Sequence, residues 1–169
     1  MKLVARLLNE MLAAGVIADY ALFGAVAQMR YTEPVATLDA DVLVAVQAPE
    51  RLDVLAPIYQ FCAGKGYSPE GEAVRVGAWP VQFVPLFSEL TREALAQADT
   101  ADFEGVSLRV VRADYLAVIA LSVGRAKDFA RILALLESGS VSPDGIAALA
   151  ARHGLSDAWR RFRTRFLND

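Results

Sequence analysis

The chain reads as an α/β fold, a mixed β-sheet with flanking helices, followed by a C-terminal helical bundle. Strand-like apolar runs alternate with helix-period segments as far as Arg112, and from Asp114 onward every periodic segment is helical. Leu38 to Val46 carries apolar residues at both parities beyond Asp41, as a central strand covered on both faces would. The boundary is expected near Arg112, dividing an α/β domain over 1–111 from a helical subdomain over 112–169.

Leu3, Leu7, Leu8, Met11 and Leu12 form one face of an opening helix that Gly15 ends. Tyr20 to Phe23 is a short buried strand delivering Gly24, and Ala25 to Met29 begins a helix broken by Thr32-Glu33-Pro34. Pro49 is expected to open a helix that runs to about Ala63 and closes at Gly64-Lys65-Gly66. Ala73 to Val76 and Val81 to Val84 flank Gly77-Ala78-Trp79-Pro80, which predicts a hairpin. Ser88 or Thr91 caps the next helix, through about Ala98, and Val106 to Val110 alternates as a further strand. Helices then follow over 115–123, 127–136, 143–153 and 157–167, the third started by Ser142-Pro143.

Chemistry concentrates at two places. Asp39 and Asp41 are spaced so that both project from one face of a strand, where like charges repel. A divalent cation gives that pair a purpose, since Mg²⁺ is held by one or two carboxylates plus substrate phosphates. Gly24-Ala25 ends one strand and opens a helix whose free N–H groups suit phosphate oxygens. Thr37 either hydrogen-bonds the carboxylates or starts the strand, and Arg30 either orients a phosphate or pairs with an acid. In the second block, Gly124-Arg125-Ala126-Lys127-Asp128, Lys127 and Arg131 share a helix face able to grip a triphosphate. Arg125 lies beside them, and Asp128 suits the helix N-terminal dipole.

The order of these blocks resembles the nucleotidyltransferase superfamily related to DNA polymerase β. The pair Gly24-Ala25 stands for its small-residue pair and Asp39-Ala40-Asp41 for its acidic motif, while Gly124 to Asp128 resembles a helix opening in the small bacterial group around AbiEii-type and minimal nucleotidyltransferase toxins. The resemblance covers about 18–137. It implies a nucleotidyltransferase-like fold in which Asp39 and Asp41 hold Mg²⁺ (or Mn²⁺), Gly24, Ala25, Thr37 and Lys127 bind a nucleoside triphosphate, and a nucleoside monophosphate passes to a hydroxyl of tRNA, a protein or a small molecule. The superfamily's third carboxylate falls on a later strand, and the matching run Pro80 to Pro85 offers Gln82. An amide takes no proton from a hydroxyl and is a poorer magnesium ligand. Glu72 on the preceding hairpin arm is the nearest substitute; otherwise the chemistry is weakened, and the chain is a binding or regulatory partner, as in a toxin–antitoxin pair.

Composition bounds the alternatives. At 169 residues with 55% hydrophobic content, the chain has no apolar stretch near the roughly 20 residues of a membrane span. The apolar excess points to a subunit interface, with a second copy or a cognate partner protein. Cys62 and His153, the only residues of their kinds, exclude zinc and Cys-His chemistry; a single cysteine suits a reducing cytoplasm, and His153 before Gly154 reads as a helix C-cap. The net charge of −3 does not attract nucleic acid as a whole. Arg160, Arg161, Arg163 and Arg165 are either a solvated helix face or a basic surface for RNA, beside a core-facing Trp159, Phe162 and Phe166 stripe.

Overall fold

The computed structural model describes residues 1–47, 49–50 and 52–167. In chain order it contains α1 (Lys2–Ala13), β1 (Ile17–Phe23), α2 (Gly24–Gln28), β2 (Ala40–Val46), α3 (Ala56–Gly64), β3 (Ser68–Glu70), β4 (Ala73–Val76) and β5 (Trp79–Pro85). Then come α4 (Glu89–Ala96), β6 (Asp99–Phe103), β7 (Val106–Val110) and the helices α5 (Ala113–Val123), α6 (Ala126–Glu137), α7 (Pro143–Arg152) and α8 (Ser156–Phe166). The strands form one mixed seven-stranded sheet in the order β3-β4-β5-β2-β1-β7-β6. β2 is antiparallel to β1 and parallel to β5, and β1 is parallel to β7. None of the described helices is long and apolar enough to cross a membrane.

β2 sits at the middle of this order because Val42, Leu43 and Val44 are all buried, so it needs cover on both faces. On one face Tyr20, Leu22, Val42, Val81 and Phe83 are buried, and α1 packs over β1 and β7, where Asn9 accepts from the Tyr20 hydroxyl at 2.7 Å and donates to the Ser107 carbonyl at 2.8 Å. On the other face Arg109 pairs with Asp19 and donates to the Leu95 and Ala98 carbonyls at the end of α4. One side chain thus pins β7, β1 and a helix terminus together. Ser88 and Thr91 act jointly at the head of α4 in a reciprocal capping box.

Several boundaries depart from the sequence pattern. The expected helix from Pro49 begins instead at Ala56, with Pro57 in its first turn; Asp53 Oδ1 accepts from the Leu55 and Ala56 amides and holds the preceding turn. Residues 48 and 51 of that segment lie outside the described residues. The α1 face is rotated: Val4, Ala5, Leu7, Leu8 and Met11 are buried, whereas Leu3 and Leu12 reach solvent. β3 and β6 lacked a hydrophobic signal because they are the two edge strands, and nearly all of their residues are exposed. Pro69 is tolerated in β3 for the same reason.

In the C-terminal half, α5 is buried from Tyr115 to Leu121 and serves as the axis around which the other helices pack. Gly124, at φ 73°, reverses the chain into α6. The stripe on α8 faces inward as expected: Trp159 stacks on Phe162 at 5.4 Å between centroids, and Phe129 of α6 lies 5.7 Å from Phe162 and 5.4 Å from Phe166. The Phe162→Ala variant should lose about 3–5 kcal/mol. Urea denaturation followed by tryptophan fluorescence and far-UV circular dichroism checks this, with both probes expected to move together; a loss below about 1 kcal/mol would show that α8 is not part of the common core.

Candidate functional site

The register of three neighbouring strands builds the site. Phe23 of β1 lies opposite Asp41 of β2, and Asp41 lies beside Gln82 of β5. Residues in register on parallel strands share a face, so the Gln82 side chain stands next to the Asp41 carboxylate. β1 ends at Gly24, which takes φ 66° as the chain turns into α2. A Cβ built there would overlap Asp41 Oδ2 and lie 3.2 Å from its Cγ. Glycine is therefore required twice, by the backbone conformation and by the approach of the carboxylate. Asp39 sits just ahead of β2, where the Thr37 hydroxyl is 3.0 Å from its carbonyl oxygen and 3.4 Å from its Oδ1. Thr37 thus holds the loop that carries Asp39.

Asp39 and Asp41 open on a cleft of about 650 Å³ whose far wall is α6, through Lys127 and Arg131. Burial pushes the Asp41 carboxyl above its ordinary value, and the charge of Asp39 adds to the effect. Arg131, Lys127 and Arg125 act in the opposite direction. Arg131 is itself held by buried partners: its Nε donates to Gln28 Oε1 at 3.1 Å and its Nη1 to Asp128 Oδ1 at 3.4 Å. Burial draws the Arg131 guanidinium below its usual value, with the negative charges of Asp128 and Asp41 opposing the change. Asp128 is 1% exposed and accepts from the Arg125 backbone N–H at 3.2 Å and from Arg125 Nε at 2.7 Å. Beyond favouring the helix dipole, it is therefore the buried anchor of two arginines.

Of the residues expected at the site, Ala25, Thr37, Asp39, Asp41, Lys127 and Arg131 line the cleft, and Gly24 and Gln82 adjoin Asp41. Arg125 contributes charge from the helix cap. Arg30 stands elsewhere, over the Tyr31 ring at 5.8 Å, and lines grooves to the side of α2. Glu72 does not replace a carboxylate at Gln82: it is exposed in the β3–β4 turn, where its carbonyl accepts from the Tyr59 hydroxyl at 3.0 Å. Gln28, 4% exposed and lining the cleft, carried no sequence signal because its role comes only from contact with a helix 103 positions later. His153 is the C-cap of α7, and its Nε2 lies 2.6 Å from Glu93. Arg160 pairs with Asp157 in solvent, and Arg165 lies over the Phe166 ring. Burial pushes the Cys62 thiol up to about 11, which leaves it inert.

The donor set at the acidic pair is oxygen only, which suits a hard cation such as Mg²⁺ or Mn²⁺. Among the described residues no group of three or more His, Cys, Asp or Glu side chains could hold a metal. Two carboxylates therefore make half a site, which other oxygens must complete.

No family model and no curated protein matches the sequence. Solved structures match the fold. An antigenic nucleotidyltransferase-like protein from Paracoccidioides brasiliensis superposes with a TM-score of 0.58 at 14% identity, over 94% of this chain and 91% of that one. ANT(2″)-Ia in complex with adenylyl-2″-tobramycin gives 0.55 at 12% identity, over 98% and 97%. The solution structure of the antibiotic-resistance factor ANT(2″)-Ia gives 0.52 at 12%, over 96% and 97%. The mixed sheet with its flanking helices is the nucleotidyltransferase-like α/β fold.

Gly24 and Gly15 both have positive φ, but only Gly24 faces a neighbour there. Gly15→Ala should cost about 1–2 kcal/mol through backbone strain alone. Gly24→Ala should cost more, and in an Asp41→Ala background most of the excess should go, since only the Cβ at 3.3 Å remains; urea titration of the four proteins measures this. The raised Asp41 carboxyl makes a second expectation. Between its ordinary value of 3.8 and its folded value, the native state holds more protons than the unfolded state, so Asp41 lowers stability as pH rises through that window. Melting temperatures from about pH 4 to pH 7 should show this decline, and Asp41→Asn should remove it.

Proposed function

We propose that the chain is a member of the nucleotidyltransferase superfamily that transfers a nucleoside monophosphate from a nucleoside triphosphate to an acceptor oxygen. The observation that carries this reading is the cleft itself: an acidic pair on one wall, with Asp41 pressed against the Gly24 turn, and Lys127 and Arg131 on the other. Asp39 and Asp41 would hold Mg²⁺ or Mn²⁺, and the bound cation would supply charge stabilisation to the phosphates. The N–H groups of Gly24 and Ala25 bind phosphate oxygens as the helix opens. Lys127 and Arg131 take the rest of the triphosphate and neutralise the charge that develops on the leaving pyrophosphate. Arg131 arrives already oriented by Gln28 and Asp128, so little reorganisation accompanies binding.

Sequence blocks at Gly24 to Asp41 and Gly124 to Asp128 support a place in the small bacterial group around AbiEii-type nucleotidyltransferases. The ANT(2″)-Ia structure with adenylyl-2″-tobramycin supports a small-molecule acceptor ahead of tRNA or a protein. A second reading rests on Gln82. With an amide where a carboxylate would complete the site, the fold would be kept for binding a cognate protein, as in a toxin–antitoxin pair.

Melting curves separate the two. Mg²⁺ or Mn²⁺ should raise the melting temperature more with a nucleoside triphosphate present than without, because phosphates complete the coordination shell. Asp39→Asn combined with Asp41→Asn should abolish that increment and leave the apo protein at least as stable, since repulsion and desolvation are both relieved. A double variant that keeps the whole increment would dismiss the acidic pair as the metal site, and a natural chain with no response to nucleotide or metal would favour the partner-binding reading.

A further inference from the structure

The cleft is asymmetric about Asp41. On the β1 side lie Gly24, α2 and the cations of α6; on the β5 side lies Gln82. Displacement at the α-phosphorus is in line, with the attacking oxygen opposite the leaving pyrophosphate. A triphosphate held between α2 and α6 therefore leaves the β5 side to the acceptor. There the sheet face continues past Gln82 into a second cavity of about 550 Å³, which adjoins the first through Thr37 and Leu38. Pro80 and Arg75 line it from the sheet face, Ala78 and Trp79 from the hairpin turn, and Leu38, 90% exposed, from the loop before β2.

Transfer to a neutral hydroxyl needs a base at the attacking oxygen, and Gln82 cannot be one. Glu70 is the carboxylate on this side whose side chain lies on the same sheet face, by register through Ala73 and Gln82. It belongs to β3, three strands from β2, or roughly 14 Å at ordinary strand spacing. Both its oxygens are engaged by Arg75, from Nε at 2.5 Å and from Nη2 at 2.6 Å. Arg75 Nη1 donates to the Ala78 carbonyl at 3.0 Å. Of the five N–H donors of a guanidinium, Glu70 and the Ala78 carbonyl take three on Arg75, which leaves two for a ligand. Among the described residues lining this side, Arg75 thus has donors to offer an anion, and no carboxylate other than the paired Glu70 is placed to act as a base.

We infer that the acceptor is a small molecule whose attacking oxygen is already ionised near neutral pH, a carboxylate or a phosphate monoester, seated over Gln82 and Pro80 within reach of Arg75. This rests on the nucleotidyl-transfer reading above and narrows the expected hydroxyl to an oxyanion. The acceptor oxygen forms a bond to the α-phosphorus as the bond to pyrophosphate breaks. Pyrophosphate leaves with the electron pair, the product is a mixed anhydride of the nucleoside monophosphate, and no proton is transferred. Gln82 is then a specificity residue: its amide donates to the oxyanion where a carboxylate would repel it.

Benzoate, phenyl phosphate and benzyl alcohol share one ring and differ in the attacking oxygen, so they are suitable probes. With each nucleoside triphosphate and Mn²⁺, the natural chain should release pyrophosphate and form a nucleotidyl adduct, seen by mass, with benzoate or phenyl phosphate and not with benzyl alcohol. The two oxyanion arms tell a carboxylate acceptor from a phosphate one. Without metal or nucleotide, benzoate should bind by calorimetry and benzyl alcohol should not, and Arg75→Met should remove the binding. Gln82→Asp should admit benzyl alcohol, giving the adduct that the natural chain does not form, as a base is restored. A benzyl alcohol adduct made by the natural chain, or no adduct with either oxyanion while nucleotide and Mn²⁺ bind, would overturn the inference and leave nucleotidyl transfer standing. Failure of nucleotide and metal to bind at all would instead remove the reading beneath it, and the inference with it.

Discussion

The approach of the Gly24 backbone to the Asp41 carboxylate is the constraint on which the rest of the site depends. It can exist only if β1 stops at Phe23, if the next residue adopts a left-handed conformation, and if β2 enters the sheet with Asp41 in register with that stop. Each condition is set by something outside the site. The register of β1 on β2 is held by what each face carries, because a slip of one residue would turn Tyr20, whose hydroxyl donates to Asn9, away from α1. Arg109 ties the far half of β1 to β7 and to α4 through Asp19. The position of two oxygens thus follows from how the sheet is packed.

Cations reach the same cleft by a different route. α6 carries Lys127 and Arg131 on one face and Phe129 and Ile132 toward its helical neighbours. Its placement comes from α5, apolar around its whole circumference, and from the aromatic stripe of α8. Asp128 then converts placement into orientation. A buried carboxylate with one cationic partner would carry a large desolvation cost, but two arginines and a backbone amide share it. The C-terminal helices are accordingly part of the site's construction, since removing their packing would release the wall that faces Asp41.

Much of this was legible in the sequence wherever one residue type has one physical use. Two aspartates at strand spacing before an apolar run, and a small pair where one strand ends, indicated the acidic wall because like charges need a reason to meet. The alternation around Val81, Gln82 and Phe83 put the amide on the polar face, and the register with Asp41 agrees. The edge strands were not legible, because β3 and β6 bury almost nothing and so leave no hydrophobic period. The helix start at Ala56 was missed because Pro49 satisfies the rules for a first-turn proline equally well, and only Asp53 decides between the two. Gln28, Glu70 and Arg75 were beyond reach for a further reason. Their roles come from partners that the fold brings together, and polar side chains have no periodicity that announces such meetings.

Asp41 also shows why the cleft is held rather than relaxed. Desolvation and the charge of Asp39 both oppose its ionised form, and Arg131, Lys127 and Arg125 offset this only from across the cleft. An exposed aspartate would relieve the conflict by swinging into water. Here β2 fixes the backbone, and the Gly24 turn and the Gln82 side chain flank the carboxylate on both sides. The remaining relief is a positive charge delivered between the two carboxylates, with anionic oxygens to meet the cations opposite. A cation and a polyphosphate together satisfy both walls, whereas either one alone leaves the other wall's charge uncompensated. On the proposed reading, cooperation between metal and nucleotide would follow from the opposite charges of the two walls.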